Sequence, residues 1–279
     1  MCVNECKAYA GAARAVLPTL LAVLGLAMSP AASADSDAEL AMKAQNPISA
    51  MISFPLQLNY DEGYGATGDG KMWVLNLRPV VPFDLNEDWN LISRTIVPLI
   101  DQEDFAAGGT LDESGLGDVQ QNLFFSPKAP TAGGWIWGVG PALLLPTASD
   151  KVLGGEKWAL GPTAVVVKQA NGWTYGVLGN HLWSVAGEDD RDDISASLIQ
   201  PFFGYTTRTS TTFMINTEST YDWKTETWSV PVNLMATQML RVGGQPLTLQ
   251  AGARYWADSP DGGPDGWGFR FAVTFLFPK

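Results

Sequence analysis

The end of the chain alternates strictly between large apolar side chains and smaller or polar ones. At period two, one face of Gly266–Lys279 is wholly apolar and carries Trp267, Phe269, Phe271, Val273, Phe275 and Phe277. The other face carries Gly268, Arg270, Ala272, Thr274 and Leu276. Because successive side chains of a strand point to opposite faces, this alternation predicts a strand. An apolar face with aromatics at both ends is typical of the lipid-facing side of a membrane barrel, whose lumen is polar.

Strand-like segments recur through the rest of the chain. We predict twelve, near 48–60, 71–83, 88–100, 117–126, 133–146, 157–169, 172–186, 194–206, 210–221, 226–240, 246–256 and 266–277. An even number, with both ends on the periplasmic side, is the arrangement of single-chain bacterial barrels. The predicted fold is therefore all-β, an antiparallel transmembrane β-barrel of about 12 strands over residues 48–279.

The facing of several segments can be predicted from the same alternation. In the first segment, the apolar face carries Ile52, Phe54, Leu56, Leu58 and Tyr60, and the opposite face carries Ser53, Pro55, Gln57 and Asn59. In the tenth, the apolar face carries Trp228, Val230, Val232, Leu234 and Ala236, and the opposite face carries Ser229, Pro231, Asn233, Met235 and Thr237. In the eleventh, the apolar face carries Leu247, Leu249, Ala251, Ala253 and Tyr255, and the opposite face carries Thr248, Gln250, Gly252 and Arg254. Prolines at positions 55, 79, 98, 141, 162, 201 and 231 oppose this assignment, since proline cannot donate to a ladder, and bulges at these points would reconcile the two.

The connections and the tryptophans favour a membrane barrel over a soluble sandwich. The odd-numbered connections are longer than the even-numbered ones and hold most of the acidic residues, as extracellular loops would. Tryptophan rings suit the headgroup level of a membrane. We therefore predict an aromatic girdle from Trp73, Trp89, Trp135, Trp158, Trp173, Trp183, Trp228, Trp256 and Trp267.

The N-terminus reads as an export signal. Lys7 and Arg14 accompany the apolar stretch Ala15–Met28, and Ala32-Ser33-Ala34 fits the small-residue rule for cleavage before Asp35. Residues 1–34 are thus predicted to be a signal peptide, and 35–47 an N-terminal periplasmic segment with a short helix that Pro47 stops. We expect this segment to be a tail; the alternative is a segment that folds into the barrel mouth.

The composition of the chain restricts the classes of molecule that it is expected to bind. Both cysteines, Cys2 and Cys6, lie in the leader, so the mature chain has no thiol chemistry. The mature chain has 15 basic and 28 acidic residues, a net charge of −13, which makes nucleic acid an improbable partner. The expected partners are outer-membrane lipid and lipopolysaccharide, an unidentified small solute, and the barrel-assembly machinery for insertion. No cofactor is expected.

Six of the charged residues within the predicted strands are candidates for lining the lumen. They are Arg78, Arg94, Asp118, Glu218, Arg254 and Arg270. A charge on the lipid face at mid-depth would cost about 2–4 kcal/mol, so the lumen is the favoured place for them. They form either an anion-favouring constriction or a ladder of internal ion pairs that closes the pore.

Two further patterns resemble parts of chemical sites. His181 has Asn180 and Ser184 nearby in the sequence, but odd spacings on a strand place them on the opposite face, so we expect no catalytic residues and no enzyme activity. The run 188–193 (EDDRDD) invites a calcium site, but it lacks an EF-hand pattern, and we expect a solvated acidic loop and no specific metal site.

Several stretches resemble a known family. They are AQNPISAMISFPLQ (44–57), DWNLISRTIVPLI (88–100), GLGDVQQNLFFSPK (115–128), GWIWGVGPALLLPTASD (134–150), NTESTYDW (216–223) and GGPDGWGFRFAVTFLFPK (262–279). They resemble a family of Gram-negative outer-membrane transporters often labelled "neuromedin U", related to the phenol-degradation MetA-pathway family. The resemblance implies a cell outer-membrane barrel with a transport role, and it carries no catalytic or ligand residues to transfer.

The sequence therefore predicts an outer-membrane barrel that passes or binds small solutes through a narrow polar lumen. The alternative is a closed structural or surface-interaction barrel with acidic extracellular loops. A third and weaker hypothesis is a lipid hydrolase or acyltransferase at the barrel rim, built on His181.

Overall fold

A computed structural model describes residues 36–105 and 112–278. The predicted signal peptide lies outside the described residues. The part of the chain that is described contains one helix, α1 (Asp37–Ala44), and strands β1 (Ile52–Tyr64), β2 (Gly70–Leu77), β3 (Val80–Asp84), β4 (Trp89–Glu103), β5 (Glu113–Leu116), β6 (Val119–Pro127), β7 (Trp135–Leu145), β8 (Lys157–Ala170), β9 (Trp173–Gly187), β10 (Ser195–Thr206), β11 (Thr211–Thr217), β12 (Ser219–Asp222), β13 (Thr227–Val242), β14 (Gln245–Asp258) and β15 (Gly266–Phe277).

These strands form a closed barrel of twelve transmembrane strands. Three pairs, β2 with β3, β5 with β6 and β11 with β12, each make one transmembrane strand interrupted by one or two residues. Every neighbour pairs antiparallel, β1 pairs with the last strand β15, and β9 pairs with β10, so the sheet has no edge. The predicted fold class and strand number are confirmed. The first strand begins later than predicted, at Ile52, because residues before it turn into the lumen.

The barrel is apolar outside and polar inside. Large exposed hydrophobic residues cover the exterior, among them Phe203, Phe213, Leu234, Leu249 and Phe271. Polar side chains are buried on the opposite phase, among them Asn59, Thr174, Thr212, Asn233 and Arg270. This distribution is the inverse of a water-soluble domain and matches a barrel that lies in lipid. The facing predicted for the first, tenth and eleventh segments agrees with it.

The two ends of the barrel differ. At one end, here called the loop end, the connections are 65–69, 104–112, 146–156, 188–194, 223–226 and 259–265. At the other, the turn end, they are 85–88, 128–134, 171–172, 207–210 and 243–244, and helix α1 also lies there. The longer loops and the acidic residues thus share one end, which is the arrangement expected when the turn end is periplasmic.

The prolines are accommodated in more than one way. Pro231 sits at a register shift between β13 and β14, as the bulge prediction required, and Pro79 occupies the interruption between β2 and β3. Pro55, Pro98 and Pro201 are paired without a register shift, so the bulge prediction is wrong for them. The carbonyls of Pro55 and Pro98 accept hydrogen bonds from the backbone N–H of residues at two interruptions, Arg78 and Gly117.

Most of the predicted girdle lies on the exterior. Trp73, Trp158, Trp173, Trp183, Trp228 and Trp267 are exposed on the outward phase. Trp256 is the exception, because its indole Nε1 donates a hydrogen bond to Asp61 on the inward face, 2.8 Å away. Among the described residues, no helix is long and apolar enough to cross a membrane.

Candidate functional site

The N-terminal segment begins with a well-capped helix. The Ser36 hydroxyl accepts a hydrogen bond from the Glu39 backbone N–H, and the Glu39 carboxylate accepts one from the Ser36 backbone N–H, which completes a capping box. Asp37 lies in the first turn and Lys43 in the last, so both charges complement the helix dipole. The sequence therefore favours the helix locally, although eight residues are too few for one to be stable alone.

Helix α1 packs into the turn end of the barrel. Its buried Leu40 and Ala41 form a cluster with Met51, Met239 and Leu276. Two polar contacts fix it further: the Gln169 side chain donates to the Met42 carbonyl at 2.5 Å, and Arg241 pairs with Asp37 at 2.7 Å. The expectation of a free tail is therefore wrong. The apolar face of an amphipathic helix is stable when other apolar side chains cover it, and here Met51, Met239 and Leu276 do so.

The segment after the helix reaches the opposite wall. Ile48 is buried in a second cluster with Ile92, Phe124, Val165 and Leu178 from β4, β6, β8 and β9. These four side chains face inward and are nearly inaccessible. Since α1 rests against β13 and β15, residues 36–51 cross the lumen at the turn end and obstruct it.

An ion-pair bridge crosses the lumen nearer its middle. Glu218, at the interruption between β11 and β12, accepts from Arg270 at 2.6 Å and from Arg78 at 3.4 Å. Strands β13, β14, β15 and β1 separate Glu218 from Arg78 around the barrel wall. The three side chains, which we call the Glu218 bridge, therefore span the lumen from wall to wall.

Amides complete the coordination of the bridge. Arg270 Nε donates to Asn59 Oδ1 at 2.8 Å, and Arg78 donates to Gln57 Oε1 at 2.8 Å. Both amides belong to β1 and face inward. Each arginine thus has a carboxylate and an amide acceptor, which is what a buried guanidinium requires to offset its lost hydration.

A second ion pair lies closer to the loop end. Arg254 Nε is 3.1 Å from Asp61 Oδ1, although this N–H makes no hydrogen bond, so the contact is electrostatic. The Arg254 guanidinium lies 4.6 Å from the centre of a Trp256 ring, and Trp256 donates to the same carboxylate. Sequence reasoning missed this role of Trp256, because it assigned the residue to the exterior girdle by its type although the alternation places it on the face of Arg254.

Arg94 stands apart from the other lumen arginines. It lies on the inward face of β4, and its residue is only 7% exposed. Within residues 36–105 and 112–278, no carboxylate comes within salt-bridge distance of it and its guanidinium has no hydrogen bond. Its cross-strand neighbour Asn122 is completely buried, and the Asn122 Nδ2 also lacks an acceptor.

Asp118 does not join this cluster. Its Oδ1 accepts from the backbone N–H groups of Thr147 and Ala148, both at 3.1 Å, and its Oδ2 accepts from Gly155 at 2.7 Å. The carboxylate therefore holds the loop between β7 and β8. Leu153 of this loop is buried, and its carbonyl approaches Gly117, whose other neighbours are inward side chains of β4. The loop thus folds towards the barrel mouth.

Side-chain contacts at the loop end tie neighbouring loops together. Asp193 accepts from the Ser184 hydroxyl at 3.0 Å and lies 3.6 Å from both Lys157 and Lys224. The hydrogen bond from Ser184, then the two lysines, lower the pKa of Asp193. In the described residues no three histidine, cysteine or acidic side chains converge as a metal site would require, including those of 188–193.

His181 points towards lipid and contacts a serine that the sequence did not single out. It shares the outward phase of β9 with Trp173 and Trp183. Its Nδ1 is 2.7 Å from the hydroxyl of Ser197, the cross-strand neighbour on β10. Trp223 Nε1 donates to the same hydroxyl at 2.9 Å, while His181 Nε2 is buried without a partner. Neither Asn180 nor Ser184 is this partner.

Fold comparison places the chain among outer-membrane barrels. No family model matches the sequence, and no curated protein matches it. A solved structure, the COG4313 outer membrane channel from Pseudomonas putida F1, aligns with a TM-score of 0.63 at 17% identity over 82% of this chain and 96% of its own. The NanC porin aligns at 0.48 and 11% identity over 81% and 99%, and outer membrane phospholipase A from Escherichia coli at 0.45 and 13% over 88% and 99%. With its closed sheet and apolar exterior, the protein is an outer-membrane β-barrel.

Proposed function

We propose that this barrel is a gated channel for small solutes, of the transporter type that its sequence motifs resemble. The observation that carries the proposal is the content of the lumen: charged side chains meet across it, and a short N-terminal segment closes its turn end. Replacing buried ion pairs with apolar residues of similar volume is often neutral or stabilising, so stability alone does not account for the charges in this lumen. Retained charge in a membrane interior is associated with solute or ion pathways.

The N-terminal segment has the properties of a removable plug. Only Leu40 and Ala41 of α1 are fully buried, and the Arg241–Asp37 pair that helps to hold the helix is substantially exposed. An exposed ion pair contributes about 0–1 kcal/mol. The described structure is therefore the closed state, and movement of residues 36–51 into the periplasm would open the turn end.

Conductance of the mature protein in planar bilayers tests the gate. Leu40→Glu places a carboxylate among Met51, Met239 and Leu276, so the helix should leave the lumen and the mean conductance should rise several-fold. Ala50→Glu is the matched control, because it adds the same charge to the same segment at an exposed position. Folding of each variant is verified by its heat-modifiable mobility in gels.

The outcomes separate the channel from its alternative. Larger conductance for Leu40→Glu than for the control supports the gate. If folded wild-type protein and folded Leu40→Glu both fail to conduct, the closed structural or surface-interaction barrel replaces the channel.

We also propose the membrane partners of this barrel. Strand β15 closes the barrel on β1 and carries alternating aromatics, which fits insertion by the barrel-assembly machinery. The acidic loop end would face lipopolysaccharide, with divalent cations between the two sets of anionic groups.

A second candidate function, hydrolysis of a lipid ester, is favoured by one observation on the outer face. A serine hydroxyl hydrogen-bonded to an imidazole is the minimum of an activated nucleophile, and Ser197 and His181 meet at 2.7 Å. Trp183 is two residues nearer the loop end and its ring is 4.0 Å from His181, so the pair lies at the level of the aromatic girdle. Ester carbonyls of lipids lie at that level.

Release of fatty acid from phospholipid–detergent micelles tests this activity. Ser197→Ala should abolish it and His181→Ala should lower it by about 10²- to 10⁴-fold. Ser195→Ala, on the same strand and phase, should leave it unchanged. Absence of release by the wild-type protein, or release that survives Ser197→Ala, would eliminate the hydrolase.

A further inference from the structure

The lumen contains more positive than negative charge. Four arginines, at positions 78, 94, 254 and 270, face it together with the carboxylates Asp61 and Glu218. Asp61 compensates Arg254, and Glu218 is shared between Arg78 and Arg270. Two positive charges are therefore in excess, and the excess lies at Arg94 and within the Glu218 bridge.

Arg94 is the lumen arginine whose guanidinium has no acceptor among residues 36–105 and 112–278. Its cross-strand neighbour Asn122 does not supply one: the Asn122 Oδ1 already accepts from Gln120 Nε2 at 3.3 Å. The Asn122 Nδ2 is fully buried and has no partner among the described residues. Two hydrogen-bond donors on adjacent strands thus lack an acceptor at the same level of the lumen.

Such an arrangement is unfavourable unless water or a bound group accepts hydrogen bonds from these donors. A buried charge without a counterion costs several kcal/mol, and an unsatisfied buried donor costs about 1–3 kcal/mol. The other three lumen arginines have carboxylates within 3.4 Å. Arg94 therefore differs from the other lumen arginines. Each of those has a carboxylate partner, whereas Arg94 has none among the described residues.

We propose that Arg94 and Asn122 form a binding subsite for the carboxylate group of a small organic anion. This inference rests on the proposed channel and defines its solute class. A guanidinium presents a planar fork that matches a carboxylate with two parallel hydrogen bonds, and an amide N–H beside it can serve one of the same oxygens. The partly compensated Arg78 adds to the positive potential, which draws anions into the lumen.

The test is binding of benzoate, with benzamide as its neutral isostere, to the folded protein in detergent. Calorimetric titration measures the affinity of the wild-type protein, Arg94→Gln, Arg94→Lys and Arg208→Gln. We expect benzoate to bind the wild-type protein and benzamide to bind at least tenfold more weakly. Arg94→Gln should lose about 10- to 100-fold in affinity, as expected for one charge-assisted pair.

The two remaining variants separate geometry from charge. Arg94→Lys keeps the charge without the fork and should bind with intermediate affinity, whereas Arg208→Gln removes an exposed charge in the turn 207–210 and should bind as the wild type does. Equal affinity for benzoate and benzamide, or undiminished binding by Arg94→Gln, would overturn the subsite.

Binding and conduction give independent answers. Because the titration needs no passage through the barrel, Arg94-dependent binding without conductance by either the wild-type protein or Leu40→Glu would refute the channel and leave the subsite standing. Conductance with a cation preference that Arg94→Gln does not change would refute the subsite and leave the channel standing.

Discussion

At the scale of single residues, Glu218 has the largest structural role of the lumen side chains. Its carboxylate pairs with the guanidinium of Arg270 on β15 at 2.6 Å and with that of Arg78, which follows β2, at 3.4 Å. Removing one member of a buried ion-pair network leaves the others charged and uncompensated. The stability of the barrel should therefore depend on this carboxylate far more than on any exposed one.

Substitution of Glu218 and of Arg94 should change stability in opposite directions. Glu218→Gln should lower the free energy of unfolding by about 3–5 kcal/mol, because Arg78 and Arg270 lose their counterion. Arg94→Gln removes a charge that has no counterion and should raise it by about 1–3 kcal/mol. Urea unfolding in lipid vesicles, followed by tryptophan fluorescence, measures both values.

The exposed pair Lys128–Asp84 supplies the control for this measurement. Its atoms are 2.8 Å apart, and Lys128→Gln should change the free energy of unfolding by less than about 1 kcal/mol. A Glu218→Gln variant no less stable than Lys128→Gln would contradict the role assigned to the bridge.

At the scale of elements, three interrupted strands position charged side chains. Arg78 follows the end of β2, Asp118 precedes β6, and Glu218 separates β11 from β12. Where a strand leaves its ladder, its side chain is no longer confined to the two directions of the pleat. The interruptions let Arg78 and Glu218 meet across the lumen and let Asp118 reach a loop.

The loop that Asp118 holds should loosen when the carboxylate is replaced. Asp118→Asn leaves one acceptor oxygen for three backbone donors, so hydrogen exchange at Thr147, Ala148 and Gly155 should accelerate by at least tenfold. Asp150→Asn, whose carboxylate accepts one local hydrogen bond from Val152, should affect only that amide. Unchanged exchange at all three amides in Asp118→Asn would show that packing of Leu153 holds the loop instead.

Helix α1 shows the limit of prediction at the element scale. Its start, its capping box and its end before Pro47 could all be predicted from local sequence. Its place in the lumen could not, because Met239 and Leu276, which cover it, are far away in the chain. An eight-residue amphipathic helix is equally compatible with a periplasmic tail until its partner surface is known.

At the scale of the whole molecule, lipid sets the distribution of side chains. The closed sheet satisfies the backbone, so the exterior can be apolar and the interior can keep charge. The lumen then has three layers from the turn end upward: the N-terminal segment with its apolar clusters, the polar layer with Arg94 and the Glu218 bridge, and the loop that Asp118 anchors. A solute would meet all three.

The sequence alone determined the strands, their number and, for several of them, which side faces lipid. Side-chain alternation is a property of neighbouring residues and survives any arrangement of the strands around the barrel. The alternation places Trp256 on the inward face with Arg254, where its indole contacts Asp61, so the assignment of Trp256 to the girdle, which rested on residue type, is wrong. The pattern also missed the interruptions, since polar residues continue through them.

Only the tertiary structure decided how the lumen charges combine. Arg78 and Glu218 are 140 residues apart, and nothing in either segment indicates that they pair or that Arg94 remains without a partner. The same holds for His181 and Ser197, which become neighbours only when β9 pairs with β10 in one register. The energy of an ion pair or hydrogen bond depends on distances of a few ångströms between side chains that the closed barrel brings together. The alternation that predicts the strands depends only on residues two positions apart in the sequence.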